Sequence, residues 1–228
     1  MSELEHRYRM VKERIAVAAQ KYGRDVSTIQ LLAVSKTWPV EPIHTLTQWG
    51  QQHFAENYLQ EAVPKIRQLE SSNLSWHFIG ALQSNKTNII AKHFDWVHTL
   101  IHFKHAQRLN DQRAEHAPLL KVCIQVNINN EASKGGITVN QLNELAFQIE
   151  KLPRLQLKGL MAIPQQTDNF EQQREQFASL RCAAESLNNA GLNLNTLSMG
   201  MSNDMEAAIA EGATLLRIGT AIFGSRNK

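Results

Sequence analysis

Cysteine is scarce in this chain of 228 residues. It holds two, Cys123 and Cys182, too few for a disulfide framework, so a reducing compartment, the cytoplasm, is the expected setting. Long hydrophobic runs are missing too. The apolar stretches are strand-length, far short of a bilayer span, which excludes a membrane protein. The N-terminal MSELEHRYRM is polar and opens a helix, so no signal peptide is expected. Blocks of like charge are absent. A net charge of +3 over scattered Lys and Arg is too weak a field to imply nucleic acid. No Pro-, Gly- or Ser-rich linker and no low-complexity tract interrupts the chain, which predicts one domain over residues 1–228. Neither a G-x-S-x-G elbow nor a G-x-x-x-x-G-K-[ST] loop is present.

What is present is a rhythm. Ser2 and Glu5 have capping-box spacing, and Leu4, Tyr8, Val11, Ile15, Ala18 and Tyr22 recur at helical spacing up to Gly23. Strand candidates follow at Leu31 to Ser35, His53 to Ala55, Trp76 to Ile79 and Trp96 to Leu100. They continue at Leu119 to Asn127, Leu155 to Ala162, Leu194 to Ser198 and Thr214 to Ile218. Amphipathic helical patterns fill the gaps, one of them starting at an expected Asp168 cap and running through Phe170, Phe177, Leu180, Ala184 and Leu187. Alternating strands and helices require parallel pairing, and about eight of each predict a closed (β/α)₈ barrel of TIM type. An open doubly wound sheet is the alternative. The last strand lies so near the C-terminus that no final helix is expected, and the N-terminal helix covers the ring beside it.

In such a barrel the site lies at the C-terminal ends of the strands. Lys36 ends the first strand on the same face as Val34, which points its amine into the mouth, where desolvation favours a nucleophilic amine. The other reading is a lysine that snorkels to the surface. After the last two strands, Gly200, Ser202, Asn203 and Asp204, then Gly219 and Thr220, have the chemistry of an anion cradle, with ordinary caps, Ser202 as an N-cap, as the alternative. Arg217 sits within the last strand, where a buried guanidinium needs a carboxylate or a ligand acceptor. A reactive lysine, a phosphate cradle and a buried arginine together point to pyridoxal 5'-phosphate. Cys123 alternates with apolar residues and reads as core. His98, His102 and His105 imitate metal spacing, but His98 falls in a strand and no Cys or paired carboxylate completes a ligand shell, so no metal site is expected. Lys134-Gly135-Gly136 reads as a solvated turn.

Long motifs carry a family resemblance. LLAVSKT (31–37), AENYLQE (55–61), WHFIGALQSNK (76–86), LKGLMAIP (157–164) and the stretch from Ser198 to Arg226 resemble, in order, the YggS family of pyridoxal phosphate homeostasis proteins, called PROSC or PLP-binding protein in animals. Ala55 and Ala81 stand where Gly and Pro are usual, and Leu100-Ile101 replaces a more polar pair. The resemblance implies a barrel similar to the N-terminal domain of alanine racemase. It also implies a Schiff base on Lys36, Arg217 facing the pyridine nitrogen, phosphate contacts from Ser202, Gly219 and Thr220, and Asn57 beside the ring. An arginine there keeps that nitrogen unprotonated by charge repulsion, which weakens the ring as an electron sink. The expected protein holds pyridoxal phosphate for vitamin B6 homeostasis without robust catalysis and has no catalytic residues. It is a monomer whose acceptors are apoenzymes that use the cofactor. An amino-acid racemase is the alternative.

Overall fold

The computed structural model describes residues 1–129 and 135–225. Its first helix, α1 (Glu3–Lys21), starts where local chemistry demands. The Ser2 hydroxyl accepts from the Glu5 amide, satisfying one N–H group that has no partner inside the helix. Tyr8, Val11, Ile15 and Ala18 are then buried along one face.

Eight strands follow: β1 (Gln30–Val34), β2 (His53–Glu56), β3 (Ser75–Phe78), β4 (Trp96–Leu100), β5 (Leu120–Gln125), β6 (Leu155–Met161), β7 (Thr196–Ser198) and β8 (Leu215–Ile218). Between them lie α2 (Val40–Gln48), α3 (Leu59–Gln68), α4 (Thr87–His93), α5 (Phe103–Gln112), α6 (Val139–Glu150), α7 (Phe170–Asn189) and α8 (Met205–Ala210). All neighbouring strands pair in parallel and β8 closes on β1, with Leu32 opposite Arg217 and Ala33 opposite Ile218. The expected (β/α)₈ barrel is therefore the observed one, and closure leaves it no sheet edge.

Four local expectations are corrected. A helical turn, α9 (Thr220–Phe223), follows β8 after all, and α1 packs against both α8 and α9 beside the last strand. The cap of α7 is Asn169, whose side chain accepts from the Gln172 amide at 3.1 Å; Asp168 lies one residue too early for a helix beginning at Phe170. Strand β7 starts at Thr196 because Asn188 takes both the N–H and the carbonyl of Leu194 out of the ladder. Strand β5 ends at Gln125, since the Asn127 amide turns instead to the carbonyl of Ile137.

Two-residue alternation divides the core. Outward side chains such as Phe54, Phe78, Val97 and Leu216 pack under the helices, in one continuous cluster with Phe177 and Leu180 of α7. Inward ones, Leu32, Val34, Ala55, Trp96, Cys123, Met161 and Leu215, form a separate cluster inside the barrel. Burial pushes the Cys123 thiol up to about 12, as befits a packing group rather than a nucleophile.

Candidate cofactor site

Strand β1 leads to Lys36. Leu32 and Val34 lie in the interior cluster, and Lys36 is half-buried in the turn that follows the end of β1. The backbone then turns sharply. Thr37 adopts a left-handed φ of 69°, unusual for a β-branched residue, and its N–H donates to Glu61 Oε2 at 2.7 Å. Behind the turn lies an ion pair that sequence reading missed. Lys65 of α3 donates to Glu56 Oε1 at 2.8 Å and to the Ser35 carbonyl at 3.0 Å, and the Ser35 hydroxyl donates to the same carboxylate oxygen at 2.7 Å. Both ionic side chains are buried, 8% and 0% exposed. Burial raises the Glu56 pKa, while Lys65 and Ser35 oppose the rise. The pair clamps the ends of β1 and β2 to one helix, and Asn57, half-buried, follows directly after that clamp.

The cradle residues come from the last two strands. Gly200 has φ 93°, and a Cβ on it would press on Ala208 and Leu216 at under 3.0 Å. A Cβ on Gly219 would lie 3.2 Å from the Val34 carbonyl oxygen, so this glycine lets the end of β8 close against the end of β1. The Ser202 hydroxyl accepts from the Ala221 amide at 3.3 Å, joining the loop after β7 to the first turn of α9. Ser202 does not cap α8, which begins after Asp204. Thr220 is exposed at the start of α9. Helix α1 supports both loops: Arg14 donates to the Ser202 carbonyl at 3.2 Å, and Arg7 Nε to the Ile222 carbonyl at 3.1 Å. These arginines also escaped sequence reading, because only the ring closure brings α1 to this end.

Arg217 is 5% exposed inside the barrel. Its Nη2 donates to the Ala162 carbonyl at 2.9 Å, and its Nη1 donates to the Ser198 carbonyl and hydroxyl. Among the described residues no carboxylate hydrogen-bonds to it; these acceptors are all neutral. Burial lowers its pKa to about 10, with Asp204 acting in the opposite sense. A buried cation whose hydrogen-bond acceptors are all neutral is costly, and a ligand acceptor or an anion relieves that cost. The donor set fits a phosphorylated pyridine aldehyde: an amine at Lys36, hydroxyl and amide groups at Ser202, Gly219 and Thr220, and the buried guanidinium of Arg217.

His98 points into the barrel, whereas His102 and His105 sit at the start of α5, so the spacing of these three joins no common shell. Lys134 lies outside the described residues.

Fold and site together define a (β/α)₈ barrel of the alanine racemase type. The chain belongs to that family: residues 3–227 match the one described as "Alanine racemase, N-terminal domain". Within it, the chain is a member of the pyridoxal phosphate homeostasis protein family. The protein of that name from Pseudomonas aeruginosa is 51% identical over 227 residues, covering 100% of this chain and 97% of its own length. The one from Escherichia coli K12 is 48% identical over 230 residues, covering 100% and 98%. Among solved structures, PipY of Synechococcus elongatus with PLP bound is similar, at 36% identity and a TM-score of 0.81, covering 92% of this chain and 100% of that one.

Proposed function

We propose that the protein binds pyridoxal 5'-phosphate at the barrel mouth and serves its intracellular homeostasis, holding the cofactor rather than turning over amino acids. The observation that carries this reading is Arg217, a buried guanidinium with only neutral acceptors, at the same end as a lysine and two loops rich in donors. When bound, the cofactor supplies an aldehyde that Lys36 holds as a Schiff base. Arg217 faces the pyridine nitrogen and, by charge repulsion, keeps it unprotonated. Ser202, Gly219 and Thr220 take the phosphate, and Asn57 lies beside the ring. The names of the curated relatives and the PLP-bound state of PipY support the ligand and the role.

In this reading the whole chain is one domain that works as a monomer in the cytoplasm, and apoenzymes are its acceptors. Among the described residues no helix is long and apolar enough to cross a membrane. The test is borohydride reduction of the loaded protein followed by peptide mapping. The cofactor mass is expected on the peptide containing Lys36, and its absence there refutes the assignment. Incubation with L- and D-alanine decides between holding and racemisation. Optical rotation that changes with robust turnover establishes the racemase instead.

A further inference from the structure

Three histidines line up inside the barrel. His53 begins β2 and is partly exposed; His77 of β3 and His98 of β4 are 0% exposed. His53 Nδ1 is 3.0 Å from His77 Nε2, and His77 Nδ1 is 2.9 Å from His98 Nε2. His98 Nδ1 is 2.8 Å from Ser198 Oγ, and that oxygen accepts from Arg217 Nη1 at 2.9 Å. The rings are held in place by packing: His77 stacks on Trp96 at 5.2 Å with planes 9° apart. A continuous chain of hydrogen bonds therefore joins Arg217 to the far end of the interior. No role described above uses it.

The chain has two possible directions, and chemistry chooses one. A guanidinium only donates, so Ser198 Oγ must turn a lone pair toward Arg217. The positive charge then favours every next dipole with its lone pair facing the arginine and its proton facing away, and each bond polarises its neighbour in the same sense. The Ser198 hydroxyl donates to His98 Nδ1, His98 Nε2–H to His77 Nδ1, and His77 Nε2–H to His53 Nδ1. All three rings are then neutral with the proton on Nε2. Burial, the first cause, holds His77 well below the ordinary imidazole range and His98 at about 3.

We propose that His53, His77, His98 and Ser198 form one relay, aligned by Arg217, through which protonation at the barrel floor is felt at the barrel mouth. When His53 takes up a proton from solvent, its Nδ1 changes from acceptor to donor. His77 must then accept at Nε2 and donate from Nδ1, His98 must do the same, and Ser198 Oγ receives N–H groups from His98 and Arg217 together. The added proton stays on His53 Nδ1; within each inner ring the single proton passes from Nε2 to Nδ1, so both rings stay neutral, and the Ser198 hydroxyl turns its own proton away from His98, so the one proton gained is the one from solvent. Two positive ends converge on one oxygen, and the hold of Ser198 on Arg217 loosens. Besides His77, the charged groups acting on His53 are Lys121 of β5, which disfavours its protonation, and Asp95 before β4, which favours it. Beyond His98, Arg217 is acted on by Asp204 and Cys123. Any effect on a bound cofactor rests on the pyridine contact of Arg217 proposed above, but the relay does not.

The test therefore uses ligand-free protein labelled with 15N in histidine and arginine. Long-range proton–nitrogen correlation at neutral pH is expected to show the Nε2–H tautomer for all three rings. On acidification within the folded range, His77, His98 and Arg217 signals are expected to shift with one midpoint, that of His53. In His53→Phe that shared midpoint disappears while the circular dichroism spectrum is retained. Ser198→Ala, which cuts the contact with the arginine, is expected to remove the response of Arg217 alone. An Nδ1–H tautomer on His77 or His98 at neutral pH, or separate midpoints in the wild type, overturns the relay. If the relay holds and the absorbance of bound pyridoxal phosphate ignores the His53 midpoint, the placement of Arg217 against the pyridine fails instead.

Discussion

Acid should unfold this protein over a window set by its interior histidines. His77 and His98 are both 0% exposed, and burial is the main reason that each resists protonation, His98 down to about 3 against an ordinary 6.5. In the unfolded chain both take up a proton near 6.5, so between the two values the unfolded state binds more protons than the native one. Stability is therefore complete above about pH 6.5 and is lost as the pH falls below it. Each proton of difference costs about 1.4 kcal/mol per pH unit, so His98 alone removes roughly 2.5 kcal/mol between pH 6.5 and 4.5, and His77 adds to the loss in the same direction. That is a large share of the stability of a typical domain, about 5–15 kcal/mol. Glu56 works in the other direction, because burial raises its pKa and the native state holds its proton longer; it offsets at most one proton. The assay is urea unfolding at a series of pH values, read as the slope of unfolding free energy against pH. In His77→Gln, which cannot titrate, the slope is expected to fall by one proton whatever the variant's absolute stability. A wild-type slope below one proton across the window, or a slope unchanged in His77→Gln, would refute the reasoning.

Substitution at Arg217 should separate binding from stability. Arg217→Met removes a buried charge that has only neutral partners, so the melting temperature of the ligand-free protein is expected to hold or rise, while affinity for pyridoxal phosphate falls at least about tenfold by titration, or about 1.4 kcal/mol. A lower melting temperature with unchanged affinity assigns the arginine to the scaffold. Lys65→Met strands the buried Glu56 carboxylate and is expected to cost about 3–5 kcal/mol in chemical denaturation, most of it recovered in the double variant with Glu56→Gln. Full stability in the single variant contradicts the clamp. Gly219→Val places branched bulk where even a Cβ meets the Val34 carbonyl oxygen at 3.2 Å, and isothermal titration is expected to show weakened cofactor binding with the barrel still folded. Unchanged binding removes Gly219 from the cradle.

The barrel was legible because its signal is local. Short apolar runs alternating with amphipathic stretches need only neighbouring residues, and the same two-residue alternation placed Arg217 on the inside, next but one to Leu215 of the interior cluster. The parts that were not legible depend on closure. Lys65 is nine residues from Glu56, yet its bond to the Ser35 carbonyl exists only because β1 and β2 end side by side against α3. Arg7 and Arg14 reach the cradle loops only because α1 returns to the last strand. His98 was grouped with His102 and His105 by spacing, whereas the strand turns it inward to partners on β3 and β7 that no spacing rule connects. The α9 turn was missed for a different reason: four residues carry too little periodicity to register as a helix.

The interior of this barrel shows why the charge and the histidines belong to one argument. A barrel of this kind is normally filled by layers of branched apolar side chains, and here Leu32, Val34, Met161 and Leu215 supply only part of that filling. Arg217, Ser198, His98 and His77 occupy the rest, at 5% exposure or less. Unpaired, such groups would cost several kcal/mol each. The chain of hydrogen bonds meets that demand along its length, since each ring accepts at one nitrogen and donates at the other. It cannot neutralise the guanidinium, because none of its members is an anion. The electrostatic demand is thereby concentrated at a single group in β8, two residues before Gly219 and hydrogen-bonded to the end of β7. A scaffold shaped for stability alone would place a carboxylate or an aliphatic side chain there. An arginine whose hydrogen-bond partners are all neutral is the arrangement expected of a site whose further acceptor arrives with a ligand.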